Sequence, residues 1–351
     1  MSAPDSIFVR ACKGLPTPAT PVWFMRQAGR YMSEYRAVRQ NHSLIEICKR
    51  PPLAAEVTIT AAEKLGVDAA IIFADLLLPL EAMGVPFYFS SGEGPVIESP
   101  VRDVRAIRAL KTNGVDGLGY VSEAIALCVK HWGAKMPVIG FCGAPFTLAS
   151  YMVEGGGSRN YIEIKRLMHT EPQLFDELLG KLTTVLGEYG LRQAAAGADV
   201  LQVFDSWVGC LSPEDYKRFV LPRTAELIAK LKSSGVPVIY FGTASTALLP
   251  MMAESGADVI GLDWRVSLAE GWRAVGNKAV QGNLDPALLF AGRGQIEQAA
   301  GEILRQAGGR AGHIFNLGHG ILPGTPVEDV KALADFVHER SSKVRAGGES
   351  S

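Results

Sequence analysis

Thiols are scarce in this chain, and none is placed to work with another. The five cysteines, Cys12, Cys48, Cys128, Cys142 and Cys210, stand far apart, are odd in number and form no CxxC pair. That excludes a disulfide framework and a thiolate zinc cluster, and suits a reducing compartment. No apolar run is long enough to cross a bilayer. The first residues, "MSAPDSIFVRACKG", lack the apolar stretch of a signal peptide, so a cytoplasmic location is expected. Charge of one sign is also missing: 35 basic against 36 acidic residues leave a net charge of -1. No general attraction to nucleic acid or to an anionic membrane follows. A nucleotide loop is absent too, because "VEGGGS" (153–158) has neither a P-loop lysine nor GxGxxG spacing.

What the chain does have is core and rhythm. Hydrophobic residues make up 48% of its 351 residues, enough for a large globule. Short apolar runs lie at 20–25, 68–73, 137–142, 198–204, 237–242, 257–263, 279–283 and 313–318. They are apolar on successive residues, as parallel strands buried on both faces are. Helical patterns separate them, such as "PPLAAEVTITAAEKLG", "SPEDYKRFVLPRTAELIAKLKSSG" and "PVEDVKALADFVHERS". Proline and acids open these segments, and glycine closes several before the next strand. Eight strands, each followed by a helix, predict an α/β fold: a single (β/α)8 TIM barrel over 1–345 with a polar, flexible tail at 346–351. Near residue 87, "VPFYFSSGEGPVIESPV" breaks the alternation and reads as a β-hairpin insertion in the second βα unit. A doubly wound open sheet is the alternative, but its first strand would lead into a glycine-rich turn. Here it leads into Arg26-Gln27-Ala28-Gly29-Arg30.

In a barrel the chemistry gathers beyond the carboxyl ends of the strands. Those positions hold Arg26 and Arg30, then Asp75, then Asp205 and Ser206, then His319 between two glycines. Each has a plain structural alternative. Asp75 can cap a helix, Ser206 can satisfy a turn, and His319 can be a hydrogen-bonded loop residue. The first fifty residues carry eight basic and three acidic side chains, a local balance of +5, which is either a solvated face or an anion site. Arginine is costly to bury without an anion and pairs with carboxylates through two parallel N–H bonds. Asp75 sits between the apolar stretches "IIFA" and "LLLPL". One acid in an apolar floor, with arginines at the rim, suits a large organic ligand bearing acidic groups. Phe73 and Phe204, at strand ends, are placed to line that floor.

These residues carry a resemblance. "PVWFMRQAGRYMSEYR", "FADLLLPLEAMG", "YMVEGGGSRNY", "LQVFDSWVG" and "FNLGHGILPGTP" are similar, in order and spacing from about residue 5 to 340, to the uroporphyrinogen decarboxylase family. The resemblance implies a single (β/α)8 barrel, commonly a homodimer. It implies a substrate-binding loop Arg26, Gln27, Ala28, Gly29 and Arg30, a central acid at Asp75, a tyrosine at Tyr151, a hydroxyl at Ser206 and a histidine at His319. Arg26, Arg30, Asp75, Tyr151 and His319 take the catalytic places. The substrate implied is uroporphyrinogen, whose acetate arms become methyl groups with loss of CO2, giving coproporphyrinogen in haem and chlorophyll synthesis. No cofactor or metal is expected, because the protonated pyrrole itself can serve as electron sink. Two rivals remain. A barrel methyltransferase would need zinc ligands at strand ends, and a non-catalytic tetrapyrrole carrier would need the pocket without proton-handling groups.

Overall fold

The structure, a computed structural model, describes Ala3 and residues 5–90 and 94–346. Its centre is a parallel sheet of seven strands in the spatial order β1, β4, β5, β6, β7, β8, β9. These are β1 (Ala70–Ile71), β4 (Val138–Gly143), β5 (Val200–Asp205), β6 (Val238–Gly242), β7 (Val259–Gly261), β8 (Ala279–Gln281) and β9 (His313–Ile314). The remaining pair, β2 (Tyr88–Ser90) and β3 (Gly94–Val96), is a separate antiparallel ribbon. Residues 91–93, the tip of the hairpin expected there, lie outside the described residues.

The expected first strand, 20–25, is reduced to one parallel bridge, Val22 to Phe315. Its backbone nonetheless reaches both edges of the sheet. Phe315 N–H donates to the Pro21 carbonyl (2.9 Å) and Trp23 N–H to the Phe315 carbonyl (3.3 Å), while Asp68 N–H donates to the Val22 carbonyl (2.8 Å). The segment thus spans the gap between β9 and β1. The last expected strand, 313–318, is two residues followed by a second isolated bridge, Leu284 to Leu317.

The strands are buried on both sides, which is why they read as unbroken apolar runs. Inside, Trp23 Nε1–H donates to Gln281 Oε1 (2.8 Å) and Gln281 Nε2–H to Gln202 Oε1 (3.2 Å), a chain of three polar groups in the core that leaves Gln202 Nε2 without a partner among the described residues. Outside, the sheet is flanked by helices α1 (Pro51–Leu65), α2 (Gly119–Trp132), α3 (Pro145–Glu154), α4 (Pro172–Ala195), α5 (Leu221–Lys232), α6 (Leu268–Val275), α7 (Arg293–Ala307) and α8 (Val327–Ala346). Proline stands in the first turn of α1, α3, α4 and α5, where its missing N–H has no intrahelical partner to lose. The helix expected over 212–235 is interrupted. A short helix at Pro213–Asp215 passes through a π turn, Tyr216–Val220, before α5 begins. Pro222 explains the break: it cannot donate to the carbonyl four residues back, and its ring crowds that carbonyl. The expected tail, 346–351, begins at the last residue of α8 and from 347 onward lies outside the described residues.

Candidate active site

The loop 26–30 leaves the sheet in an unusual way. Arg26 adopts a left-handed backbone (φ 61°), a conformation costly for a residue with a Cβ and concentrated at functional sites. The neighbouring side chains hold it there. Gln27 is 2% exposed and turns inward, donating through Nε2 to the Ala69 carbonyl at the start of β1 (3.2 Å). The Tyr31 hydroxyl donates to the Gln27 carbonyl. Arg36 donates through Nη1 to the carbonyls of Arg30 (3.0 Å) and Tyr31 (2.8 Å). Behind the loop, Asn316 Oδ1 accepts from Met25 N–H (3.1 Å) and Leu317 N–H (2.7 Å), and Ile321 N–H donates to the Met25 carbonyl (2.9 Å). Ala28 and Gly29 are half-buried; Arg30 is exposed, and Arg26, though protein surrounds much of it, keeps part of its surface open to solvent. Among the described residues neither arginine forms an ion pair within 4 Å.

Asp75 follows β1. Its Oδ1 accepts from Leu77 N–H (2.9 Å), which realises the turn-capping role and leaves Oδ2 free. The carboxyl is surrounded by protein yet keeps part of its surface open to solvent. Desolvation pushes its pKa up to about 6, against the opposing pull of the Leu77 N–H and of Arg26. Arg26 is pulled down from the ordinary guanidinium range by burial and by the like charge of Arg30, while Tyr151 and Asp75 act the other way. Arg26 therefore meets Asp75, Tyr151 and Arg30 in one electrostatic neighbourhood.

Tyr151 projects from α3, one turn before its end at Gly155, whose left-handed φ of 90° lets the chain reverse. Burial and then the Asp75 charge raise the phenol to about 12, so it remains protonated and can donate. Its ring meets the Trp207 indole edge-on at 5.6 Å, and Trp207 in turn lies 5.7 Å from Tyr161. Ser206 is half-buried; its carbonyl accepts from the Thr243 hydroxyl, and its own hydroxyl makes no hydrogen bond among the described residues. His319 is also half-buried, with ring nitrogens unbonded among the described residues. Burial, helped by Arg26 and Arg265, lowers it to about 4, against the pull of Asp263. At neutral pH the imidazole is uncharged. The structural alternatives for Ser206 and His319 thus lack the side-chain bonds they required.

Phe73 and Phe204 are half-buried at their strand ends. Phe73 packs against Tyr35 (5.4 Å), and Phe204 stands edge-on between Phe141 (5.6 Å) and Phe241 (6.1 Å). These strand ends are thus aromatic and apolar.

Sequence reasoning gave no role to Asp205. It is fully buried and accepts from Thr147 Oγ1–H (2.7 Å) and Tyr240 O–H (2.8 Å), with Tyr216 O 3.2 Å from Tyr240 O. Burial raises it to about 6 despite both donors. Thr147 Oγ1 also accepts from Trp207 N–H (3.2 Å), so this network anchors the chain that carries Ser206 and Trp207. The only signal in the sequence was position: Asp205 closes a strand immediately before Ser206.

A profile of the family described as uroporphyrinogen decarboxylase (URO-D) matches residues 3–340. The uroporphyrinogen decarboxylase of Koribacter versatilis is 66% identical over 346 residues, covering 98% of this chain and 99% of that protein. That of Carboxydothermus hydrogenoformans is 55% identical, covering 96% and 97%. Among solved structures, a methyltransferase from Methanosarcina mazei superposes with a TM-score of 0.78 at 22% identity, covering 95% of this chain and 97% of that one, a likeness of fold alone.

Proposed function

The chain belongs to the uroporphyrinogen decarboxylase family, and from that premise we propose how its residues carry out the family's reaction. It is a carboxy-lyase of tetrapyrrole synthesis that takes uroporphyrinogen to coproporphyrinogen. The observation that carries the assignment of roles is the position of Arg26, whose charge bears at once on Asp75 and His319 on two strand-end loops and on Tyr151 of α3.

Losing CO2 from an acetate arm leaves an electron pair that needs a sink. Protonation of the pyrrole ring carbon beside the arm supplies one, because the ring becomes an iminium-like cation. The carbon–carbon bond then breaks, CO2 departs, and the pair flows into the ring to give an exocyclic methylene. A proton added to the methylene and one lost from the ring carbon complete the methyl group, for a net uptake of one proton per arm. Asp75, with Oδ2 free above an apolar floor, accepts the inward pyrrole N–H groups and stabilises the cation as it forms. Those donors also offset the cost of keeping this carboxylate ionised in the cleft. Arg26 and Arg30 take the acidic arms, and Arg26, nearest Asp75 in charge, is placed to hand a proton toward the ring. Tyr151 donates from its phenol, and the free groups of Ser206 and neutral His319 orient arms by hydrogen bonds. Ala28 and Gly29 present loop backbone, while Gln27 fixes the loop from beneath.

We further read the sheet as a closed (β/α)8 barrel, residues 21–24 supplying the first strand, within one domain over 1–345, and the β2–β3 ribbon as an insertion in the second unit. A homodimer is supported by exposed Tyr88 and Phe89 on that ribbon, and a cytoplasmic location by five free thiols. No described helix is long and apolar enough to cross a membrane. Anaerobic incubation with uroporphyrinogen, followed by oxidation and chromatography, tests the activity. Products with seven, six, five and four carboxyl groups are expected. Binding without conversion would mark a carrier, and stoichiometric zinc would favour the methyltransferase reading.

A further inference from the structure

Beyond the loop of Arg26 and Arg30 the rim carries another organised cation. The chain leaving β7 reads Asp263-Trp264-Arg265. Asp263 is 2% exposed, a costly place for a carboxylate unless donors surround it. It has three: Ala244 N–H, Arg265 N–H (2.9 Å) and Arg265 Nη1–H (2.8 Å). Two of the three come from Arg265, so the buried acid serves to fix that residue in both backbone and side chain. The Arg265 guanidinium also lies over the Trp264 ring, 4.0 Å from its centre, which settles the plane of the fork. Trp264 in turn stands edge-on to His319 at 6.3 Å, and its backbone nitrogen packs where a Cβ on Gly318 would stand, 2.4 Å away. The loops after β7 and β9 are thereby locked together.

A guanidinium has five N–H donors. One nitrogen of Arg265 is engaged by Asp263, and the others make no hydrogen bond among the described residues, while the side chain is 47% exposed. An aligned, half-free fork beside His319 matches a planar carboxylate in two-bond geometry. The substrate carries eight carboxylate arms around a wide ring, more than Arg26 and Arg30 can reach from one loop.

We propose that Arg265 is an additional arm-binding residue, whose free guanidinium edge takes one carboxylate of the macrocycle on the His319 side of the cleft. This rests on the tetrapyrrole reading of the site. The charge of Arg265 also helps keep His319 neutral, so a carboxylate bound there would ease the protonation of the histidine.

The test is a fluorescence titration with uroporphyrin, the oxidised octacarboxylate that does not react, on the wild type and on Arg265→Gln and Arg265→Lys, beside steady-state kinetics and melting temperatures. Arg265→Gln is expected to weaken uroporphyrin binding and raise KM by about tenfold, the scale of a lost charged hydrogen-bonded pair. The rise in KM should exceed any fall in kcat, and higher salt should shrink the difference. Arg265→Lys, which keeps the charge and loses the fork, should recover part of the affinity. An unchanged Kd in both variants, or a fall in melting temperature with Kd and KM at wild-type values, would overturn the proposal and leave Arg265 as the structural partner of Asp263. Failure of the wild type to decarboxylate uroporphyrinogen is a separate result, which strikes the activity and leaves the Kd ratio to judge Arg265.

Discussion

Arg26 lies against Gly320: its Cδ is 2.4 Å, its Cγ 2.6 Å and its Nε 2.8 Å from the place a Cβ on Gly320 would occupy. The arginine thus passes over the loop after β9 only because that residue has no side chain. Gly318, two residues earlier, is tight for a different reason, since its absent Cβ would meet the backbone of Trp264 and Asp263. One glycine makes room for a flexible side chain, the other for a fixed main chain.

The two glycines should therefore fail differently. Gly320→Ala displaces Arg26, which can move, so the melting temperature is expected to stay within a few degrees while kcat/KM falls by about 10- to 100-fold. Gly318→Ala drives a methyl into backbone and should destabilise the fold by about 1–3 kcal/mol. Thermal melts and steady-state kinetics on both variants check this. Equal loss of stability in the two would remove the distinction.

Asp75 carries a stability signature. Its pKa rises from the ordinary 3.8 to about 6 on folding. Between those values the native state holds a proton that the unfolded chain has released, so stability falls as pH rises through this window. At ~1.4 kcal/mol per pH unit the effect is on the order of 3 kcal/mol. Asp75→Asn, which carries no charge, should melt above the wild type at neutral pH and match it near pH 3 to 4. A variant less stable than wild type at neutral pH would contradict the desolvated carboxylate.

A second falling slope, this one from a favourable contact, is expected just before β1. His338, on α8, pairs through Nε2 with Asp68 Oδ2 (2.6 Å), and the same oxygen accepts from Val22 N–H (2.7 Å). The hydrogen bond to Asp68, opposed by burial, raises the imidazole above its ordinary 6.5. A raised base stabilises fully below 6.5 and loses that contribution as pH rises through the higher value. The difference in melting temperature between wild type and His338→Gln should thus be larger at about pH 6 than at about pH 9. A constant difference would mean that the contact is packing alone.

Asp205 offers a test of support at a distance. Tyr240→Phe removes one of its two side-chain donors inside a sealed site and should cost about 1–3 kcal/mol. Thr147→Val removes the other and also the acceptor for Trp207 N–H, so it should add a loss of activity that Tyr240→Phe lacks. Similar kinetics in the two would show that Trp207 is held by other contacts.

The alternation of apolar runs and helical patterns placed the strands from β1 to β9 because parallel strands buried on both faces are mostly apolar on successive residues, with Gln202, Asp205 and Gln281 too few to blur them. The first strand was the exception. "TPVWFM" has the burial of a strand, yet its pairing is limited to Val22, and the rest of its role is played by side chains such as Asn316 that no local pattern announces. The helical reading of 212–235 holds from Pro213 to Lys232, but the π turn that accommodates Pro222 is a matter of backbone hydrogen bonds that apolar periodicity does not show. At the candidate site, strand-end position singled out Arg26, Asp75 and His319, and the motif resemblance alone added Tyr151. Which neighbours they would have was not legible. The left-handed backbone of Arg26, the inward turn of Gln27, the network under Ser206 and the Asp263 clamp on Arg265 all depend on contacts between residues distant in the chain.

In the proposed mechanism a single carboxylate, Asp75, holds the macrocycle and its developing cation. The most direct measurement is the anaerobic single-turnover rate of Asp75→Asn with uroporphyrinogen, on protein whose melting curve shows it folded. A rate lowered by about 10²–10³ is expected. A rate within twofold of the wild type would contradict it.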